Sequence, residues 1–208
     1  WDSYLDVKYG IKIKNITLDG DVADVDLIET SYAILPDSSK MEGELKSESI
    51  SKYKLRKDKN GKWKVFADYV LDETTTMMYG EAKDLDIKLT VPTSIEADKE
   101  YTASLEFNPP AGTMAIASIA SDVVEYPQQK AKEVFRALPD DGILERLFTS
   151  NSENKNEYII ASIGLTKSEV CDISIKLSLT GYGYMIRRVN VIPKQEQPVE
   201  EDKNAENK

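Results

Sequence analysis

Period-two alternation of apolar and polar residues dominates the first third of the chain. It runs from Leu5 to Leu18 and stops at Asp19-Gly20-Asp21. It resumes from Val22 to Leu35, stops at Pro36-Asp37-Ser38-Ser39, resumes from Met41 to Lys57, turns at Asn60-Gly61 and continues from Lys62 to Leu71. A side chain on the same face every second residue is the geometry of a strand with one covered face, and Gly, Asn and Asp supply the backbone angles that hairpin turns need. About four antiparallel strands in a meander are expected. The residues also propose a register. If the Pro36–Ser39 loop pairs Ala33 with Leu45, then Ile28 faces Ile50, Val25 faces Tyr53 and Ala23 faces Leu55. The same register sets Asp26 against Lys52 and Asp24 against Lys54. One alignment satisfies apolar and ionic pairing together.

The segment from Asp72 to Gly80 loses this alternation and is expected to be a boundary between two units, 1–76 and 82–193. Beyond it, Leu85 to Pro92, Tyr101 to Phe107, Met114 to Val124, Tyr158 to Leu165, Val170 to Leu179 and Tyr184 to Ile192 read as further strands, numerous and short enough for a β-sandwich. Ala131, Val134, Phe135 and Leu138 fall at i, i+3, i+4 and i+7, and Ile143, Leu144, Leu147 and Phe148 make a second apolar set. Both predict a short helical insertion near 128–148, with Asp140 or Asp141 as a cap. The almost wholly polar, acidic stretch 194–208 is expected to be disordered. The fold class is mainly β: an antiparallel meander, then a sandwich with a short helical insertion.

Composition removes whole classes of chemistry. There is no histidine, hence no Ser-His-Asp or Cys-His arrangement, no His-containing zinc site and no imidazole proton shuttle. The single cysteine, Cys171, rules out internal disulfides and cysteine-cluster metal sites. With 27 Lys+Arg against 37 Asp+Glu the net charge is −10, which opposes general nucleic-acid binding. No run approaches the roughly 20 apolar residues of a transmembrane helix. Because residue 1 is Trp, the natural N-terminus is expected to lie upstream, so a missing signal segment carries no information about compartment. No catalytic residue, metal ligand set or cofactor motif emerges, and the chain is expected not to be an enzyme.

The run Lys52-Tyr53-Lys54-Leu55-Arg56-Lys57-Asp58-Lys59-Asn60-Gly61-Lys62-Trp63-Lys64-Val65-Phe66 resembles the closing hairpin of NTF2-like proteins, a strongly curved sheet. That resemblance covers roughly residues 3–73. It implies a cone-shaped pocket closed by helices ahead of the sheet, and no helical periodicity precedes the first strand here. Residues 84–192 resemble an immunoglobulin-like β-sandwich of the kind appended to bacterial envelope proteins. The cues are Leu89-Thr90-Val91-Pro92, Ala97-Asp98-Lys99-Glu100-Tyr101 and Arg187-Arg188-Val189-Asn190-Val191-Ile192-Pro193, without a Cys-Trp-Cys core. This resemblance implies a location outside the cytoplasm and, as partner, another protein or a cell-envelope component.

The strongest charge concentration is the hairpin carrying Lys52, Lys54, Arg56, Lys62 and Lys64, a candidate anion-binding site. Its alternative reading is a solvated strand pair neutralised by Asp24 and Asp26. Arg187 and Arg188 point to opposite faces of one strand, so at most one can reach a given ligand. Tyr182, Tyr184, Trp63 and Tyr69 could line a groove, and the run Asn151–Glu157 reads as a polar loop. Two readings of function stand: a non-catalytic binding or structural module acting through its surfaces, or an NTF2-like small-molecule binder or enzyme whose pocket is completed by upstream helices and uses acids such as Asp68.

Overall fold

The computed structural model describes residues 5–125, 132–171 and 174–194. The strands are β1 (Leu5–Asp19), β2 (Val22–Ser38), β3 (Met41–Lys57), β4 (Trp63–Gly80), β5 (Lys88–Thr90), β6 (Ser94–Glu96), β7 (Glu100–Glu106), β8 (Thr113–Val123), β9 (Arg136–Ala137), β10 (Ile143–Thr149), β11 (Glu157–Cys171) and β12 (Ser174–Ile192), with one 3-10 turn at Glu81–Asp84. Mainly β is therefore the class. Among the described residues nine strands form one sheet, in the order β1-β2-β3-β4-β12-β11-β8-β9, with β6 running parallel to β12. A second sheet has the order β10-β7-β5. No helix of the described residues is long and apolar enough to cross a membrane, a statement about helices alone.

The register between β2 and β3 is the one the residues propose. Ala33 pairs with Leu45, Ile28 with Ile50, Val25 with Tyr53 and Ala23 with Leu55, while Asp26 faces Lys52 and Asp24 faces Lys54. Residues 72–80, read above as a break, are instead the second half of β4. Thr74–Tyr79 pairs with Glu48–Gly43 of β3 on one side, and Thr74–Gly80 pairs with Arg187–Gly181 of β12 on the other. Thr74, Thr75 and Thr76 blur the apolar alternation, yet threonine's branched Cβ favours the extended backbone whatever its polarity.

The helical insertion is corrected. Residues 128–131 and 195–208 lie outside the described residues, and with them all of the expected disordered tail except Lys194, whose Nζ pairs with Asp98 at 2.7 Å. From Lys132 onward the chain is extended or turning. Arg136–Ala137 pairs with Ala117–Ile116 of β8, and Ile143–Thr149 pairs with Glu106–Glu100 of β7. The helix-like spacing arises because Arg146, itself exposed, interrupts the Leu144–Phe148 face of β10. Its guanidinium lies 4.9 Å from the Phe148 ring centre and donates to the Ile119 carbonyl, so a charged residue sits where the strand pattern calls for an apolar one. Val170 to Leu179 is likewise not one strand. Cys171 pairs with Ser174, and the chain reverses between β11 and β12 without a glycine or proline to announce it.

The second sheet covers one face of the β4-β12-β11-β8 half. Leu89, Tyr101, Ala103, Leu105, Phe107 and Leu144 meet Ile119, Ile159, Ile163, Leu165 and Val189 in one buried cluster. Each such side chain withdrawn from water contributes about 1.5–3 kcal/mol. The buried Glu157 is tolerated because its oxygens are used. Tyr101 Oη donates to Oε2 at 2.8 Å, and Asn151 donates to Oε1 through its backbone N at 2.7 Å and Nδ2 at 2.8 Å. Burial, then the Glu157 bond, pushes the Tyr101 phenol up. Asn151 Oδ1 also accepts from the backbone N of Glu153 and Lys155, so the Asn151–Glu157 run is a loop wound on its own first side chain.

β4 is the seam between this two-layer half and the β1–β4 arm. Tyr79 stacks on Tyr182 across it, with ring centres 4.7 Å apart and 9° between planes. Tyr79 in turn lies where a Cβ on Gly43 would be, only 2.4 Å from that position, so a glycine on β3 makes room for the ring. Gly80 ends the strand at φ 57°, where an added Cβ would stand 2.4 Å from the Thr180 carbonyl oxygen. Gly43→Ala is expected to push Tyr79 off Tyr182 and to lower stability by about 1–3 kcal/mol, the usual cost of overpacking. Urea unfolding with loss of near-ultraviolet tyrosine dichroism measures it; an unchanged midpoint and spectrum would refute the account.

Candidate functional site

Outside the two-layer half, the arm is a sheet whose faces are uncovered by any described second layer. On one face β2 presents Ala23, Val25, Leu27, Glu29, Ser31, Ala33 and Leu35, and β3 presents Leu55, Tyr53, Ser51, Ser49, Ser47, Leu45 and Gly43 opposite them. The outer strand β1 adds Tyr9, Ile11 and Ile13 opposite Ser31, Glu29 and Leu27, then Ile16 and Leu18 opposite Val25 and Ala23. A bulge between Ile13 and Asn15 keeps the last two on the same face as the first three. The middle of the face is buried: Ala23, Leu27, Ala33 and Leu35 are at most 4% exposed and Ser51 is 0%. Its rim is bare, with Tyr9, Ile11 and Ile13 each 57% exposed.

Glu29 and its partners cover Leu27 and Ser51. Tyr53 stands opposite Val25, yet its hydroxyl donates to Glu29 Oε1 at 2.8 Å, so the ring spans the Leu27–Ser51 pair. Tyr9 donates to the same oxygen from the other side. Ser49 adds a long contact to Oε2 at 3.5 Å. Burial alone would raise the Glu29 carboxyl, but the hydrogen bonds from Tyr9, Tyr53, Ser51 and Ser49 outweigh it and hold the group below the usual carboxylate range. The same bond, then burial, pushes the Tyr53 phenol up to about 12 and raises that of Tyr9. Beside the clamp lies a groove of about 240 Å³ lined by Val7, Ser31, Ala33, Leu45, Ser47 and Thr75.

The opposite face is charged, and here the hairpin's candidate anion-binding cations divide. Lys52 pairs with Asp26 at 3.3 Å and Lys54 with Asp24 at 3.7 Å, the cross-strand neutralisation the register implies. Lys57 is held by Asp21 at 3.2 Å. Arg56, Lys62 and Lys64 have no carboxylate at ion-pair distance among the described residues. Arg56 lies 4.6 Å from the Phe66 ring centre, and Lys57 lies 5.1 Å from that of Trp63. The hairpin brings these aromatics to the cations.

At the root of the arm, β4 and β12 part company beyond the Thr74–Arg187 pair. Arg187 Nη2 bonds Asp72 at 2.8 Å on one face, and Arg188 approaches Glu73 at 3.9 Å on the other, the opposed orientation expected of adjacent strand residues. Asn190 Nδ2 bridges the fork, donating to the carbonyls of Leu71 at 2.9 Å and Thr93 at 3.2 Å. The cleft so formed, about 700 Å³, is lined by Asp68, Tyr69, Asn156, Arg188 and Asn190 among others. Trp63, Tyr69 and Tyr182 are thus not brought together: one stands at the hairpin tip, one in this cleft, one in the seam stack. Asp141 Oδ1 accepts from the Ile143 backbone N at 3.1 Å and serves a turn.

The Tyr9–Glu29–Tyr53 clamp is absent from the sequence reading. Its signal was Glu29 itself, a charge placed in register with Val25, Leu27, Ala33 and Leu35. No protein-family model, no curated protein and no solved structure matches the chain.

Glu29→Gln is expected to bring the late tyrosine ionisation down from about pH 12 toward the ordinary phenol range, read by ultraviolet titration. A depressed folded carboxyl stabilises fully above its unfolded value and loses that contribution as pH falls through its folded value. The stability advantage of wild type over Glu29→Gln should therefore be largest near neutrality and shrink below about pH 4. An advantage that grows in acid would refute the clamp.

Proposed function

We propose that this chain is a non-catalytic binding module that works outside the cytoplasm and engages another protein through the apolar face of its arm. The observation that carries the reading is the row Tyr9, Ile11, Ile13, Ile16 and Leu18, bare to solvent along an outer strand. With Val7 it exposes on the order of 600 Å² of side chain, at about 200 Å² for a large residue fully exposed, as much as the largest patch of a typical monomer. Its middle carries one charge, the Glu29 carboxylate, whose oxygen is covered by two phenol donors, and it is polar at the Asp19–Asp21 turn. A charge-poor centre with a polar rim is the anatomy of a protein interface. The extracytoplasmic placement rests on the resemblance of the sequence 84–192 to the immunoglobulin-like sandwiches of bacterial envelope proteins.

An NTF2-like pocket enzyme would call for a closed chamber holding a carboxylate of raised pKa, ready to exchange a proton near neutrality. Glu29 is shifted the other way, and this favours the binding module.

A photo-crosslinking residue at Ile11 is expected to give one discrete protein adduct in the producing cell, and one at Thr30, on the opposite face, none. Ile13→Glu should remove the Ile11 adduct without moving the melting temperature. Equal adducts from both faces, or substrate turnover by the purified chain, would refute the proposal.

A further inference from the structure

The free end of the arm is made by two turns, Asp19-Gly20-Asp21 and Asp58–Lys62, held side by side by the bond from Lys57 N to the Asp21 carbonyl at 3.0 Å. At about 3.3 Å per residue, this end stands roughly 35 Å from the Thr74 pairing that ties the arm to the two-layer half. We propose that this tip docks on anionic lipid bilayers, with Arg56, Lys59, Lys62 and Lys64 meeting headgroup phosphates while Trp63, Val65 and Phe66 enter the interfacial layer.

Three observations select this surface and this partner. First, between Lys52 and Lys64 the chain carries seven cations and one carboxylate, on a protein of net charge −10. The ion pairs with Asp26, Asp24 and Asp21 account for Lys52, Lys54 and Lys57. The lone carboxylate, Asp58, is occupied in the turn, where Oδ1 accepts from the backbone N of Asn60 at 2.8 Å and of Lys62 at 2.9 Å. The other four cations, Arg56, Lys59, Lys62 and Lys64, face solvent without a carboxylate partner among the described residues, and clustered cations of this kind are drawn to anionic lipid.

Second, apolar side chains stand among those cations. Val65 is 53% exposed, Phe66 48% and Trp63 39%. The sulfates or phosphates of a polyanion make no use of Val65, whereas the headgroup boundary takes aliphatic and aromatic bodies and cationic heads together. Third, they lie on both faces of the hairpin. Arg56 and Lys57 are neighbours on one strand and point to opposite faces, so their ring partners Phe66 and Trp63 do too. A flat protein partner would cover one face; a tip apolar on both suits a medium that surrounds it.

The test is flotation of the full chain with vesicles of phosphatidylcholine alone and with one third phosphatidylglycerol. Binding is expected to the anionic vesicles only, to be lost in high salt, and to fall at least tenfold in Lys59→Glu/Lys62→Glu/Lys64→Glu. In a Trp1→Phe background Trp63 is the sole tryptophan, and its emission should shift to the blue on anionic vesicles. Trp63→Ser/Phe66→Ser should weaken flotation while leaving low-salt heparin retention intact. Flotation absent, or indifferent to the charge reversal, overturns the proposal. Heparin retention with no Trp63 shift on vesicles assigns the tip to a soluble polyanion and overturns it too.

Discussion

The pairing of β4 with β12 is the contact on which the rest of the molecule hangs. Strand β4 is 18 residues long, and nearly all of it is spent on β3, while only its last seven residues also meet β12. That short shared stretch makes one sheet of nine strands out of a meander and a two-layer half. The Tyr79–Tyr182 stack, the glycine beneath Tyr79 and the Arg187–Asp72 pair all sit on it or at its end. Were the seam to slip by one residue, Tyr79 and Met78 would exchange faces and the stack and the core would fail together.

The two halves are stabilised by different physics. The two-layer half buries a contiguous apolar cluster between sheets. The arm has no second layer among the described residues, so its order rests on backbone ladders and on cross-strand pairs. Exposed ion pairs such as Lys52–Asp26 contribute little, of order 0–1 kcal/mol. The Tyr9–Glu29–Tyr53 clamp does more specific work: it converts an outward carboxylate into a cover over Leu27 and Ser51. What the arm leaves bare is then its surface for others, in keeping with the proposed module.

Legibility in the sequence followed the number of constraints per residue. The β2–β3 register could be read because each position carried two votes, apolar against apolar and acid against base, and β1 through Leu71 of β4 followed from it. The continuation of β4 through Thr74, Thr75 and Thr76 could not, since those residues alternate no hydrophobicity. Arg146 hid β10 for a related reason: it puts a charge on the face of Leu144 and Phe148, held there by the Ile119 carbonyl and the Phe148 ring, which pattern alone does not foresee. Of the hairpin cations, the neutralisation of Lys52 and Lys54 was readable and their separation from Arg56, Lys62 and Lys64 by ion pairing was implicit in it. The clamp depends on Tyr53 reaching four positions and Tyr9 two along a neighbouring strand, a diagonal relation that one-dimensional periodicity does not encode.

The outermost strand carries one more implication. Among the described residues the outer edge of β1, 15 residues long, has no strand partner, and Lys8, Lys12 and Lys14 are spaced along it. An identical strand laid antiparallel about Ile11 would set Lys8 against Lys14, and one laid parallel in register would set every lysine against its own copy. Like charges directly opposite one another destabilise a strand pair. The border of the sheet thus discourages its own polymerisation into fibrils while its apolar side remains available to unlike molecules.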